Sequence, residues 1–225
     1  MAKANKEERI NVISPEFRAS FPTLFQARKV NESDPNEKAK FSIQMIFRVA
    51  ETPESKQKGE KVVDLKGLKA AVAQILLRHL GPTWSEKIKE RKGDGSALYR
   101  LPFRDGNAIE KRDVDGYGPG TVFIGASSQF KPGVIDAQKV EILSPNDFYG
   151  GCYARAQVNP YWYNRAGNQG VTFGLNNVQK IRDGEPFSGR EKAEDAFDAI
   201  PMPDGIGSVA VSSAAVASGD PLGGL

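Results

Sequence analysis

Alternating apolar and polar positions cover much of the chain and predict a protein made mainly of β-strands. The clearest alternation spans residues 41–49, where every second side chain is apolar. Because successive side chains of a strand point to opposite faces, a period of two indicates a strand with one buried face. Further strands are predicted on the same grounds over 16–28 with an interruption at Pro22, 121–130, 139–143 and 171–181.

Between residues 64 and 92 the pattern changes to the spacing of amphipathic helices. An apolar stripe recurs every three or four residues at Leu65, Leu68, Val72, Ile75 and Leu76. This spacing places the stripe on one face of a helix, with Asp64 as a candidate N-cap. Thr83 and Glu86 have the spacing of a capping box, so a second short helix is expected from Trp84 to about residue 92.

Residues 148–164, FYGGCYARAQVNPYWYN, carry the alternation that is most informative about function. Their buried face is predicted to hold the small apolar side chains of Cys152, Ala154, Ala156 and Val158. The opposite face is predicted to carry the ring, guanidinium and amide groups of Tyr153, Arg155, Gln157 and Asn159. We therefore expect an exposed strand face that suits a ligand able to stack, carry charge and form hydrogen bonds.

Three consecutive aromatic residues follow in the same strand. Tyr161 and Tyr163 have one parity and Trp162 has the other. Consecutive rings on a strand cannot all face the core, because they alternate between its two faces. Either the tyrosine pair or the tryptophan should therefore be exposed.

The positive charge of the chain is confined to its first 192 residues. All 31 Lys and Arg residues lie at or before Lys192, although the formal net charge of the whole chain is only +3. The acidic residues after this point are Glu194, Asp195, Asp198, Asp204 and Asp220. A basic body with an acidic tail suggests a polyanion partner, with the tail as a competitor for the same groove. The same distribution fits a soluble body with a solvating tail equally well.

The residue inventory excludes several kinds of site. One His and one Cys cannot form the usual tetrahedral zinc centre, and a single Cys cannot form an intramolecular disulfide. His79 is expected to be a packed or partly exposed helix residue, and Cys152 a buried inert thiol. No segment reaches the ~20 continuous apolar residues of a membrane span, and the N-terminus lacks a signal-peptide pattern. We expect a cytoplasmic protein that needs no cofactor.

Together these patterns predict a mainly β fold with a helical insertion. The closed arrangement that fits them is an OB-fold, a five-stranded antiparallel Greek-key barrel whose strand face and loops bind oligonucleotides. We expect an N-terminal arm over 1–15, the barrel domain over 16–185 and a disordered tail over 186–225. The domain contains the helical insertion at about 64–92 and a long glycine-rich loop over 93–120, a length that favours a binding role.

Four segments carry a resemblance to a known family: FYGGCYARAQVN, FGLNNVQKIRDGE, LPFRDGN and KPGVID. Their combination resembles the phage-encoded OB-fold single-stranded DNA-binding proteins first catalogued as a domain of unknown function. The likeness runs from Phe17 to Arg190 and omits the tail. It implies a protein that coats and protects single-stranded DNA in phage replication or recombination, in the host cytoplasm and with little sequence preference. The expected partners are this DNA and, through the tail, replication or recombination proteins, without a membrane.

The expected DNA contacts follow from the chemistry of the side chains. Binding without base readout requires cations for the phosphates and aromatic faces on which bases stack. The candidates are Tyr153, Arg155, Tyr161, Trp162, Tyr163, Phe103, Arg104, Lys111, Arg112, Tyr117, Lys131, Lys40 and Arg48.

Two other functions remain open from the residues alone. Asp105, Glu110, Asp113 and Asp115 cluster in the long loop and could hold Mg²⁺ in a metal-dependent nuclease. The basic residues among them explain the same cluster more simply as ion-paired and solvated. A structural or interaction protein that does not bind DNA is the second alternative.

Overall fold

Strands make up most of the regular structure of this chain. The structure, a computed structural model, describes residues 9–29, 32–35, 37–108, 114–165 and 167–187. The strands in these ranges are β1 (Val12–Ile13), β2 (Phe17–Arg28), β3 (Lys40–Arg48), β4 (Tyr99–Arg100), β5 (Arg104–Asp105), β6 (Thr121–Ser128), β7 (Gly133–Ile135), β8 (Tyr153–Arg165) and β9 (Asn168–Arg182). The helices are α1 (Pro53–Gln57), α2 (Lys66–Leu80) and α3 (Trp84–Lys87). No helix within the described ranges is long and apolar enough to cross a membrane.

The long strands form a sheet that closes on itself. Antiparallel pairs join β8 to β2, β2 to β3, β3 to β6 and β8 to β9, and a parallel pair joins β6 to β9. β7 and β4 also run parallel to β9. The sheet is therefore mixed, whereas the sequence predicts an antiparallel barrel. The mainly β architecture with few helices agrees with the prediction.

The inner face of this sheet forms the core with one side of α2. Ile43, Met45 and Phe47 are buried, as the alternation in β3 predicts, and so are all five residues of the predicted stripe on α2. Complete burial of such a side chain stabilises a protein by about 1.5–3 kcal/mol. Hydrophobic burial along these two elements therefore fixes which face of the sheet remains available to a ligand.

A bulge in β2 interrupts the alternation that the sequence predicts. The register of β2 against β3 shifts between Ser20 and Thr23, and Phe21 adopts a φ of 45° with 57% of its surface exposed. An extra residue in one strand reverses the faces of all residues after it. As a result Leu24 is buried, whereas an uninterrupted alternation from Phe17 and Ala19 would turn Phe21 and Thr23 inward.

Several other element boundaries differ from the sequence-based expectations. α3 has only four residues, and no side-chain hydrogen bond caps it at Thr83. A capping box forms instead at the start of α1, where the sequence predicts no helix. Thr52 and Ser55 form it through their side chains. The predicted strand over 139–143 is reduced to one bridge between Ile135 and Glu141. The predicted tail lies outside the described residues from 188 onward.

Candidate nucleic-acid interface

A large groove lies across the outer face of β6, β8 and β9. Its volume is about 1000 Å³, and the segment 97–104 forms its opposite wall. Its floor is formed by Gly125 and Ser127 of β6 together with Thr172 of β9. The rings along its walls belong to Tyr99, Phe103, Tyr161 and Tyr163. Its cationic side chains are Lys40, Arg91, Arg100, Arg104 and Arg165. We call this site the main groove.

The floor of the main groove lacks bulky side chains, and this lets a ligand approach the sheet closely. Ser127 and Thr172 have short side chains, and Gly125 has none. A Cβ atom at Gly125 would meet no other atom within 4 Å. Because glycine in a strand weakens the strand and often marks a close approach by a ligand, its position at an open floor is consistent with a binding surface.

The tyrosine pair of β8, rather than the tryptophan, faces the main groove. Tyr161 is 39% exposed and Tyr163 is half-buried beside it. Trp162 points the other way, packs against the core and stacks on His79 at a ring-centroid distance of 5.0 Å. Burial, with a smaller contribution from neighbouring Tyr163, raises the pKa of Tyr161. The ring is therefore a neutral phenol at physiological pH.

The cations of the main groove are not balanced by acids within it. No Asp or Glu lines the groove among the residues that the structure describes. Arg104 is exposed, and its guanidinium group lies 5.2 Å from the centre of the Phe123 ring. A cleft lined by charges of one sign raises the local concentration of oppositely charged ligands. The main groove therefore has the electrostatic character expected of a phosphate-binding channel.

A close backbone contact positions the wall that carries Tyr99 and Arg100. β4 pairs in parallel with β9 through two residue pairs, Tyr99 with Gln169 and Arg100 with Gly170. A Cβ atom at Gly170 would overlap the backbone of Arg100. Only glycine therefore allows this pairing, which places a ring and a cation opposite the tyrosine pair.

Tyr153 does not present the exposed ring that the alternation predicts. Its side chain is only 6% exposed and lies between two cations, with the guanidinium of Arg182 3.3 Å and that of Arg18 5.4 Å from the ring centre. Tyr153 stays on the face opposite the core, but its ring is covered there by Arg18 and Arg182, and the chain at Gly184 lies so close that a Cβ atom would meet the ring at 2.9 Å. The prediction of an open stacking surface at Tyr153 is wrong.

Arg155 is exposed as predicted but lies apart from the main groove. Its Nε donates a hydrogen bond to Gln179 Oε1 at 2.8 Å. It is six residues from Tyr161 along β8, or ~20 Å at about 3.3 Å per residue. The structure therefore does not bring Arg155 and the tyrosine pair into one platform.

Arg48 and Tyr117 are held in contacts within the protein. Arg48 forms an ion pair with Glu60 at 2.7 Å, and only 15% of its side chain is exposed. The Tyr117 hydroxyl donates a hydrogen bond to Gln44 Oε1 at 2.6 Å, and burial raises the pKa of this phenol. Both residues therefore pack onto the sheet outside the main groove, although the sequence predicted them as DNA contacts.

The remaining predicted residues fall into three groups. Phe103, Arg104 and Lys40 line the main groove. Lys131 is exposed but does not line it. Lys111 and Arg112 lie outside the described residues.

The structure offers no support for a metal centre in its described part. No group of three or more His, Cys, Asp or Glu side chains there is arranged to hold a metal ion. Asp105 and Asp115 are exposed, whereas Glu110 and Asp113 of the proposed nuclease cluster lie outside the described residues. Cys152 is buried as predicted, and burial raises the pKa of its thiol to about 11.

Comparison with known proteins identifies the family. The family model described as the ssDNA-binding protein of Enterobacter phage Enc34 matches residues 10–206. The chain belongs to this family. Protein p50 of Acyrthosiphon pisum secondary endosymbiont phage 1 is 29% identical to this chain over 190 residues, which are 82% of this chain and 91% of p50.

Solved structures of the Enc34 protein show the same OB-like fold. Its complex with ssDNA gives a TM-score of 0.55 at 20% identity, over 79% of this chain and 89% of that chain. Its C-terminal truncation gives a TM-score of 0.53 at 21% identity, over 79% of this chain and 88% of that chain. At these identities the likeness establishes the fold of this Enc34 family member, and the site rests on its own geometry.

Sequence reasoning missed four of the nine aromatic and cationic residues that line the main groove of this Enc34 family member. The segment YRLPFR contains two aromatic–arginine pairs, Tyr99-Arg100 and Phe103-Arg104, and only the second was selected. The repetition of the pair is the signal that could have identified the first. Arg91 and Arg165 carry no comparable local signal, because tertiary packing alone brings them to the groove.

Proposed function

We propose that this protein binds single-stranded DNA in the main groove, with little preference for base sequence. The observation that carries the proposal is the combination of four aromatic rings and five cations over a floor of small residues, without a lining carboxylate in the described structure. Membership in a family of ssDNA-binding proteins supports the same function, and a binding protein rather than an enzyme. The closed pairing of β2, β3, β6, β8 and β9 supports a five-stranded OB barrel as the scaffold.

In this proposal the rings bind bases and the cations bind phosphates. Stacking of a base on an aromatic side chain contributes ~1–3 kcal/mol, and every base has a face that can stack. Arginine and lysine release condensed counterions from the phosphates, which makes the affinity depend on salt. The pairing of these two modes explains tolerance of sequence without contacts to base edges.

The biological role that we propose is to coat and protect single-stranded DNA during phage replication or recombination in the host cytoplasm. The phage origin of the Enc34 protein and of p50 supports this setting. Recruitment of replication or recombination proteins through the C-terminal tail remains part of the proposal.

A titration of fluorescent oligonucleotides across a salt series tests this function. The logarithm of the affinity should fall with the logarithm of the salt concentration by about 0.7 per phosphate contact. Homopolymers of different bases should bind with similar affinities. Salt-independent binding, or no binding at low salt, would exclude the proposal.

Gly125→Val tests whether the main groove is the site. The new side chain projects into the open groove, and its backbone φ is one that other residues adopt, so the fold should tolerate it. Affinity should decrease by about 1–3 kcal/mol, the contribution of one displaced base. Gly67→Val is the matched control, because Gly67 on α2 also has no atom within 4 Å but does not line the groove. Equal affinities of the two variants would mean that the DNA-binding site lies outside the main groove.

A further inference from the structure

A second groove continues the main groove along β9 and shares Tyr161 and Ser127 with it. Its volume is about 460 Å³, and it lies between β6, β8, β9 and the C-terminal half of α2. The residues of β9 that border the two grooves run from Val171 and Thr172 to Gly174 and Asn176. A ligand that fills the main groove therefore meets the second groove directly beyond Tyr161.

Phe130 is the most conspicuous feature of the second groove. It follows the end of β6, lines the groove and has 83% of its surface exposed. A single exposed apolar residue is ordinary on a protein surface. An exposed ring at the edge of a channel that already has aromatic rings in its lining has the arrangement of a stacking platform.

The remaining lining of the second groove is compatible with a polyanion. Arg9, Arg78 and His79 line it, and no Asp or Glu does so in the part of the chain that the structure describes. Asn159 and Asn176 add amide groups beside Gly174 on the floor. The chemical character of the main groove thus extends without interruption into this region.

We propose that single-stranded DNA leaves the main groove over Tyr161 and enters the second groove, where Phe130 stacks a further base. This inference rests on the proposed function. From Thr172 to Asn176 the path lengthens by ~13 Å at about 3.3 Å per residue. A nucleic-acid strand advances by at least about 3.4 Å per nucleotide, so at most about four more nucleotides fit.

A length series of oligo(dT) measured by fluorescence anisotropy tests the proposal. The series should cover about 4 to 16 nucleotides, the range of site sizes known for OB-folds. The wild-type affinity should rise with length until both grooves are filled. Phe130→Ala should lower the affinity for long oligonucleotides by about 5- to 150-fold and leave the shortest ones unchanged.

Matched variants separate stacking from other effects. Phe130→Tyr should retain the affinity for long oligonucleotides, whereas Phe130→Leu should lose it because leucine has no ring. Leu143→Ala removes a side chain that is 72% exposed and lines neither groove, so it should bind like the wild type at every length. A thermal melt of each variant verifies that the fold is retained.

The outcomes distinguish this inference from the proposed function. If Phe130→Ala and Phe130→Leu bind long oligonucleotides as tightly as the wild type, or weaken all lengths equally, the second groove is not a subsite. The main-groove function stands in that case, provided that Tyr161→Ala still weakens binding at every length. If Tyr161→Ala has no effect at any length, the proposed function itself fails.

Discussion

The two ends of β8 contain the same kinds of side chain and arrange them in opposite ways. At the start of the strand, Tyr153 is buried between the guanidinium groups of Arg18 and Arg182. At its end, Tyr161 and Tyr163 line an open groove, and no carboxylate from the described part of the chain joins the arginines in its lining. Tyrosine and arginine close together can therefore form either a structural cluster or a ligand site.

Carboxylates paired with the arginines indicate that the cluster around Tyr153 is structural. Glu60 pairs with Arg48 at 2.7 Å and with Arg18 at 3.4 Å, and its side chain is only 6% exposed. Arg182, the other cation at Tyr153, pairs with Glu16 at 2.9 Å. The cations around Tyr153 thus have partners within the protein, which makes them poor phosphate ligands. The balance of charge around a ring, rather than the ring itself, therefore distinguishes a candidate DNA contact from a structural contact.

Removal of the buried ring of Tyr153 should have the largest effect. Tyr153→Ala should lower the free energy of unfolding by about 3–5 kcal/mol, as for other large aromatic residues in cores. Denaturant unfolding measures this loss. Tyr153→Phe keeps the ring between the two arginines and should be close to wild type. If Tyr153→Ala kept its stability and lost DNA affinity, the assignment of this end as structural would be wrong.

Neutralising the buried carboxylate should have the next largest effect. Glu60→Gln leaves Arg18 and Arg48 largely buried without a counter-charge, which should cost about 3 kcal/mol of stability. Glu54→Gln is the control, because Glu54 is 75% exposed and its pair with Lys58 should contribute less than about 0.5 kcal/mol. Thermal or denaturant unfolding of both variants measures the difference. A similar small loss in each would contradict the view that Glu60 holds the cluster together.

A change at Tyr161, at the end of β8 that faces the main groove, should lower the DNA affinity rather than the free energy of unfolding. Tyr161→Ala should weaken oligonucleotide binding by about 1–3 kcal/mol through loss of one stacking surface. Tyr161→Phe retains the ring and should bind like the wild type. Anisotropy titrations combined with unfolding curves measure both quantities. A large stability loss with unchanged affinity would assign Tyr161 to the core instead.

The smallest effect is expected from single groove cations. Arg104→Gln should reduce the salt slope of DNA binding by about 0.7, the contribution of one phosphate contact. Arg155→Gln is the comparison, since Arg155 is also exposed but lies outside the main groove. Its slope should remain that of the wild type. A reduced salt slope for Arg155→Gln would indicate that the bound DNA also reaches the start of β8.

The parts of the fold that could be predicted are those in which periodicity continues without interruption. The alternation of β3 and the stripe of α2 predicted their buried residues because both elements pack one regular face against the core. Tyr153 keeps its predicted face but is covered there by Arg18 and Arg182, whereas Phe21 departs from the alternation because of a register shift in β2. Such shifts depend on the neighbouring strand, which local sequence does not specify.

Only the part of the candidate site that the tyrosine pair forms on β8 follows from strand parity. The choice between the tyrosine pair and Trp162 was correctly reduced to two alternatives from parity. The opposite wall comes from a long connection, and its position depends on the parallel pairing of β4 with β9. Arg91 consequently reaches the groove through contacts between segments distant in sequence, which composition and spacing cannot reveal.

The glycine that holds this wall has a consequence for how such proteins can diverge. Gly170 supports Arg100 through the backbone, and an added methyl group would collide with it. A mutation to alanine would therefore displace one side of the groove while every side chain that lines it stayed the same. Natural selection on the groove would then act on a position that is not part of its lining.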